Sequence, residues 1–267
     1  MSDSLKFAVV TGAARGIGRS LALRLAKKGY AMAIADIDRE GLRAVETEVS
    51  ALGSEVMAVE TDVSSARDIQ RLCDEVHAGF GRVDLLINNA GILTSGNSWE
   101  IDQETWRKVI DVNLWSVIHA AREFVPRMLQ RGGRIVNVAS MGGLASGPWV
   151  APYCVSKYGV VAFSESLAAE FAAQHIPITV SVVCPGAVST GIADALEHHH
   201  ANETPLDLMN SSLQRMICTG TTPDDLAEDV LAQVDEGRFW ILTHPEVREA
   251  VKARAAEIVR RERGLIV

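Results

Sequence analysis

The chain has 267 residues, 48% hydrophobic and 22% charged, which is apolar enough for a sizeable core and argues against wholesale disorder. Lys and Arg number 26 against 34 Asp and Glu, a net charge of −8, and the densest basic stretch, 248–263, is interrupted by Glu249, Glu257 and Glu262; this reads as a solvated helix and excludes a nucleic-acid partner. No apolar run nears the roughly 18 residues that span a bilayer. The first residues offer no signal-peptide core and Cys73, Cys154, Cys184 and Cys218 form no CxxC pair, so a cytoplasmic protein with reduced thiols and no membrane partner is expected.

In chain order, strands are predicted at 7–11, 31–35, 56–60, 85–88, 134–139, 179–183 and 239–242. Most are continuous apolar runs, as expected of strands buried on both faces of a parallel sheet. Helices are predicted at 18–28, 39–52, 66–80, 103–130, 152–174 and 223–236. Gly29 closes the first, the stretch Asp62-Val63-Ser64-Ser65 offers N-caps for the third, and Thr222-Pro223 opens the last. Strand and helix alternate with short links, which implies an α/β fold: a doubly wound, Rossmann-like parallel sheet of about seven strands in one domain. The segment 186–222 is the exception. It shows no strand pattern, mixes Gly, Pro, His and Asn, and follows a strand's C-terminal end, where a substrate lid would sit.

The first strand runs into Thr11-Gly12-Ala13-Ala14-Arg15-Gly16-Ile17-Gly18. Glycines between a strand and a helix let the backbone turn sharply and approach a pyrophosphate, with the helix N-terminus facing its charge. The spacing is GxxxGxG, not the commoner GxGxxG, and three glycines alone could be an ordinary turn. Asp36 ends the second strand, 18 residues beyond Gly18, where a carboxylate accepts hydrogen bonds from ribose hydroxyls and repels a 2′-phosphate. That favours NAD and makes NADP the weaker candidate, although Arg15 in the glycine loop could help to bind a 2′-phosphate. A plain turn residue is the bland alternative for Asp36.

Asn89, in Asn88-Asn89-Ala90-Gly91, reads by itself as a turn former. Asn113 lies between Val112 and Leu114 inside a predicted helix, so a buried Asn113 would need polar partners. Ser140 follows the fifth strand, at the strand end where an open α/β sheet presents its ligands. Tyr153 and Lys157 are four residues apart on one helix face, with Pro152 suited to its first turn. A lysine charge and a helix N-terminus both favour a phenolate and would lower the tyrosine pKa, the condition for a general base. Met141, Leu144 and Trp149 lie between Ser140 and Tyr153, either as core or as apolar walls of a substrate pocket. Cys154 reads as a packed thiol. His198-His199-His200 reads as a solvated loop, since consecutive residues cannot all point at one ion, and no metal is expected.

Taken together and in this order, the loop from Thr11 to Gly18, Asp62-Val63, Asn88-Asn89-Ala90-Gly91, Asn113, Ser140, Tyr153-x-x-x-Lys157 and Pro185-Gly186-x-x-x-Thr190 resemble the compact short-chain dehydrogenase/reductase family over nearly the whole chain. The resemblance implies that Tyr153 is the acid/base and that Ser140 holds the substrate oxygen. It implies that Lys157 binds the nicotinamide ribose and that Asn113 orders a water leading from Lys157 toward solvent. Asp62 and Val63 would flank the adenine, and Pro185, Gly186 and Val188, with Thr190, would fix the carboxamide. A homotetramer is implied too, with helices 103–130 and 152–174 at one interface. The expected function is an NAD-dependent oxidoreductase that interconverts a secondary alcohol and a ketone, on an apolar, fairly bulky substrate of aryl, alicyclic or steroid-like type. The alternative is a non-catalytic dinucleotide-binding regulator or redox sensor on the same fold, which need not keep Asn113, Ser140, Tyr153 and Lys157 together.

Overall fold

Successive residues of a strand face opposite sides of a sheet, and Val9 and Val10 do so here. Val10 joins Leu21, Leu25, Ile34 and Leu226 in one core, while Val9 joins Ile69, Leu86, Phe124 and Ile135 in another. A computed structural model describes residues 5–194, 196 and 204–260. The strands are β1 (Lys6–Thr11), β2 (Tyr30–Asp36), β3 (Val56–Glu60), β4 (Leu85–Asn88), β5 (Gly133–Val138), β6 (Ile178–Val183) and β7 (Trp240–Ile241). They form a seven-stranded sheet in the order β3-β2-β1-β4-β5-β6-β7, and every pairing is parallel. The chain moves outward from β1 to β3, returns, and moves outward again from β4 to β7. The reversal lies between β1 and β4, and ligands of such sheets bind outside the strand ends at that switch point.

Helices α1 (Gly16–Lys27), α2 (Arg39–Ala51) and α8 (Pro223–Asp235) cover one face. Helices α3 (Ala66–Phe80), α5 (Ser116–Met128) and α6 (Ala151–Ala173) cover the other. The caps follow the sequence: Ser65 Oγ accepts from the Asp68 N–H, and Thr222 Oγ1 from the Asp225 N–H. α9 (Pro245–Arg260) is the solvated helix expected from the basic stretch. Among the described residues no helix is long and apolar enough to cross a membrane.

Two expectations are corrected. The helix predicted at 103–130 is α4 (Gln103–Ile110), a π-helical turn at Asp111–Trp115, then α5. Such turns insert an extra residue into a helix and re-aim the side chains around it. The segment 186–222, read as irregular, holds a 14-residue helix, α7 (Pro205–Cys218), opened by a capping box between Thr204 and Asp207.

Candidate active site

At the switch point the β1–α1 turn is held by side chains as well as by its glycines. Gly12 has φ +65°, and a Cβ on Gly18 would lie 2.0 Å from the Gly12 carbonyl oxygen, so the loop closes only without side chains there. Asn89 Nδ2 donates to the carbonyls of Thr11 (2.9 Å) and Gly12 (3.1 Å), which makes Asn89 a brace between β4 and this turn. The N-cap of α1, Arg15, makes no side-chain cap and the first turn has no acidic residue, so nothing of the helix itself competes with an anion at its N-terminus. The residues fit a dinucleotide's pyrophosphate.

A cleft of about 780 Å³ runs outward from here along the C-terminal strand ends. Gly12, Arg15, Gly16, Ile17 and Asp36 line one end, and Asp62, Val63, Ala90 and Gly91 continue the wall. Asp36 accepts backbone hydrogen bonds from Ala14 (2.9 Å, Oδ2) and Asp38 (3.0 Å, Oδ1), which fixes its carboxylate at the rim. Ile37, which the sequence reading missed, is 66% exposed there and offers an apolar surface for a flat ring. Asp62 Oδ1 is occupied within its own turn by the Ser64 N–H (2.9 Å) and hydroxyl (2.7 Å).

Ser140, Tyr153 and Lys157 meet at the other end. Ser140 leaves β5 and its Oγ accepts from the Gly142 N–H at 3.1 Å, which orients it toward Tyr153 in the first turn of α6; the two side chains share a hydrogen bond. Lys157, one turn on and buried, donates from Nζ to the Val138 carbonyl at 2.9 Å and stands 5.8 Å from the Tyr153 ring centroid. The π turn supplies Asn113, 1% exposed. Its Oδ1 accepts from the Ile92 N–H (2.8 Å), and its Nδ2 donates to the Ile92 carbonyl (2.9 Å) and to Ser156 Oγ (3.0 Å). Ser156 in turn donates to the Tyr153 carbonyl at 2.7 Å, so the π turn and the start of α6 are tied together. A Cβ on Gly91 would lie 3.3 Å from both Asn113 Oδ1 and Lys157 Nζ; the two groups converge on that backbone.

The electrostatics differ from expectation. Burial pushes the Tyr153 phenol up to about 12, opposed by the hydrogen bond from Ser140. Burial also pulls Lys157 down to about 8. The tyrosine was expected to be lowered by Lys157 and by the helix N-terminus. Desolvation is the largest cause at Tyr153, and the Lys157 ammonium is turned to the Val138 carbonyl.

Pro185, Gly186, Val188 and Thr190 line the cleft beyond β6. Met141 lines it as expected, but Leu144 and Trp149 do not. Leu144 packs against the core of Val160, Val161 and Val182. Trp149, at φ +60°, donates from Nε1 to Asn97 Oδ1 at 3.1 Å, and its backbone turn directs Pro148 and Val150 to the cleft instead. The apolar wall opposite comes from Met209, Leu213 and Met216 of α7, with Ile192. These were missed although Met209, Leu213 and Met216 stand at helical spacing in the sequence. Also missed is a buried polar chain behind the site: Asn88 Nδ2 donates to Asn137 Oδ1 (2.8 Å) and Asn137 Nδ2 to Ser164 Oγ (2.9 Å). The signal was an asparagine inside an apolar strand. Among the described residues no group of three or more His, Cys, Asp or Glu is placed to hold a metal; His198, His199 and His200 lie outside the described residues. Cys154 is buried on the cleft wall with its thiol pKa raised by burial.

The family model described as short chain dehydrogenase matches residues 6–201. The chain belongs to this family. It is an oxidoreductase fold in its whole extent: a short-chain dehydrogenase/reductase from Burkholderia phymatum, solved in complex with NAD, superimposes with a TM-score of 0.91 at 35% identity, covering 100% of both chains. The CLA biosynthesis dehydrogenase/reductase of Lactiplantibacillus plantarum is 33% identical over 266 residues, 95% of this chain and 93% of the relative. A variant of actinorhodin polyketide ketoreductase, solved with NADPH, matches with a TM-score of 0.80 at 33% identity, covering 91% of this chain and 97% of that one. The structural relatives thus include proteins solved with NAD and with NADPH.

Proposed function

We propose that the protein interconverts a secondary alcohol and a ketone with NAD as the hydride carrier, on an apolar and fairly bulky substrate of aryl, alicyclic or steroid-like type. The observation that carries this is the convergence of Ser140, Tyr153 and Lys157 on one wall of the cleft, with Asn113 buried behind the Gly91–Ile92 backbone and Asp36 at the far end. A dinucleotide bound between them supplies the hydride donor or acceptor. The residues supply everything else. The phenol hydroxyl of Tyr153 gives its proton to the ketone oxygen during reduction and takes the alcohol proton back during oxidation. Ser140 holds that oxygen, and Lys157, one helical turn beyond Tyr153 and donating to the Val138 carbonyl, holds ribose hydroxyls. Asn113 keeps the backbone from Gly91 to Ile92 in place and leads toward Lys157. In the site as it stands burial keeps the phenol protonated, the form that serves reduction.

Asp36 supports NAD over NADP because its fixed carboxylate would face a 2′-phosphate at the rim. The apolar side chains of Met141, Leu213 and Met216 support a substrate with a large hydrocarbon surface. α7 is read as a lid on a single domain. It packs through a small separate cluster of Ala193, Leu196 and Ile217 with Leu93, Ile192 and Leu213, and so can open without disturbing the main core. We place the enzyme in the cytoplasm as a homotetramer, with half-exposed Trp115 and Val155 on the helices expected at one interface. The test is a panel of secondary alcohols and ketones read by NADH absorbance. Turnover of aryl or alicyclic members is expected; a chain that binds NADH but turns over none would be a regulator instead.

A further inference from the structure

His244 lies three residues beyond β7, at the start of α9, and is 8% exposed. Nothing in the chemistry above uses it. Its ring touches the two places where the α7 segment joins the rest of the fold. On the outgoing side, Nδ1 is 3.1 Å from the Gly186 nitrogen and Nε2 is 3.1 Å from the Ala187 carbonyl oxygen. On the returning side, Nε2 is 3.0 Å from Thr221 Oγ1. These two stretches also pair with each other: the Thr221 N–H donates to the Ala187 carbonyl at 3.1 Å, and the Ser189 N–H to the Thr221 carbonyl at 2.9 Å. The Pro185 carbonyl accepts from the Met141 N–H at 2.8 Å, which links the same turn to the residue after Ser140.

The partners fix the ring's protons. A backbone N–H can only donate, so Nδ1 facing Gly186 is bare; a carbonyl can only accept, so Nε2 facing Ala187 carries the hydrogen. With Nδ1 bare, the Thr243 hydroxyl at 2.8 Å can only donate to it. The ring is therefore the neutral tautomer with hydrogen on Nε2, and it accepts from the Gly186 N–H while donating to the Ala187 carbonyl, which also accepts from the Thr221 N–H. The turn leaves little room beside it: a Cβ on Gly186 would lie 2.9 Å from the ring and 2.9 Å from Glu246 Oε1.

We propose that His244 is a positioning residue that sets the backbone of Gly186 and Ala187 for the nicotinamide half of the cofactor and clasps both ends of the α7 segment. It rests on the reading of the cleft as a dinucleotide site, in which this backbone faces the carboxamide. Removing the clasp leaves the half-buried Gly186 N–H without its acceptor and the Ala187 carbonyl with the Thr221 N–H alone, in the turn that lines that end of the cleft, while Gly12, Asp36 and Asn89 at the other end keep every partner they have.

ADP-ribose, which shares the adenosine and pyrophosphate with NADH but lacks nicotinamide, separates this role from a general structural one. The Kd of each is measured on the full chain for wild type, His244→Phe and His244→Asn. Phe keeps a ring of similar size and loses both bonds, and should weaken NADH by about tenfold or more while ADP-ribose stays within about twofold. Asn keeps an acceptor near Nδ1 and should recover part of the NADH affinity. Hydrogen exchange at the Gly186 and Thr221 amides should quicken in the Phe variant. Should that variant not fold, the Asn variant decides by the same ratio: an intermediate loss for NADH alone is expected. Equal losses for the two ligands, or no loss for either, would overturn the assignment. A wild-type chain that binds NADH but oxidises no alcohol would sink the proposed reaction and leave this assignment to be decided by the binding ratio; a wild type that binds NADH no better than ADP-ribose would overturn it.

Discussion

Lys157 should destabilise the empty protein. The residue is 3% exposed, and burial lowers its pKa from 10.5 to about 8. A lysine with a lowered folded pKa costs stability in full below the folded value. The cost is removed as pH rises from the folded value to the unfolded one, because the unfolded chain then holds the extra proton. The shift from 10.5 to about 8, at about 1.4 kcal/mol per unit, amounts to about 3 kcal/mol. Lys157→Met keeps the length and the apolar stem but leaves the Val138 carbonyl without its 2.9 Å donor, a loss of about 1–2 kcal/mol. The variant should therefore be more stable than wild type by about 1–2 kcal/mol at neutral pH, and less active. Urea unfolding of both chains at equal concentration, over a series of pH values, measures the difference and cancels the groups they share. The advantage should shrink as pH passes about 8 toward 10.5. A variant less stable than wild type at neutral pH, or a difference that does not move with pH, would refute the reasoning.

The ratio of kcat/KM with NAD to that with NADP should fall in Asp36→Ala by about 1–3 kcal/mol, the range for a charge-assisted hydrogen bond. A wild type that prefers NADP would give the deciding role to Arg15. Hydrogen exchange in α7 (Pro205–Cys218) should slow when NADH and a substrate analogue are bound together. Equal protection in both states would make α7 a rigid wall, with substrate selection left to Met141 and its neighbours.

The sheet was legible because its inner strands are buried on both sides and so appear as unbroken apolar runs, β2 from Tyr30 to Ala35 above all. The glycine loop marked the switch point, and with it the line of residues from Gly12 to Lys157 along the cleft. What the sequence hid depends on distant partners. The π turn exists around Asn113, whose partners Ile92 and Ser156 lie 21 and 43 residues away. Leu144 and Trp149 were placed by their position between Ser140 and Tyr153, but the direction of a loop side chain follows the backbone, and Trp149, at φ +60°, donates to Asn97. The tyrosine pKa was judged from its own helix, which counts the lysine and the dipole but not the burial supplied by the rest of the fold. α7 was legible in principle: Thr204-Pro205 and Asp207 spell a helix start, and an apolar spacing follows. It was read through as loop because the residues just before it are polar. His244 carried no local signal at all, since its partners at Gly186, Ala187 and Thr221 are 23 to 58 residues away.

Tyr153→Phe tests the central claim most directly, because it removes one hydroxyl and leaves the ring, the cleft and Lys157 in place. NADH binding should stay within about twofold of wild type while turnover of any active alcohol falls by about 10²–10⁴-fold, the usual contribution of a general acid or base. A Tyr153→Phe enzyme that binds NADH and keeps most of its turnover would contradict the account.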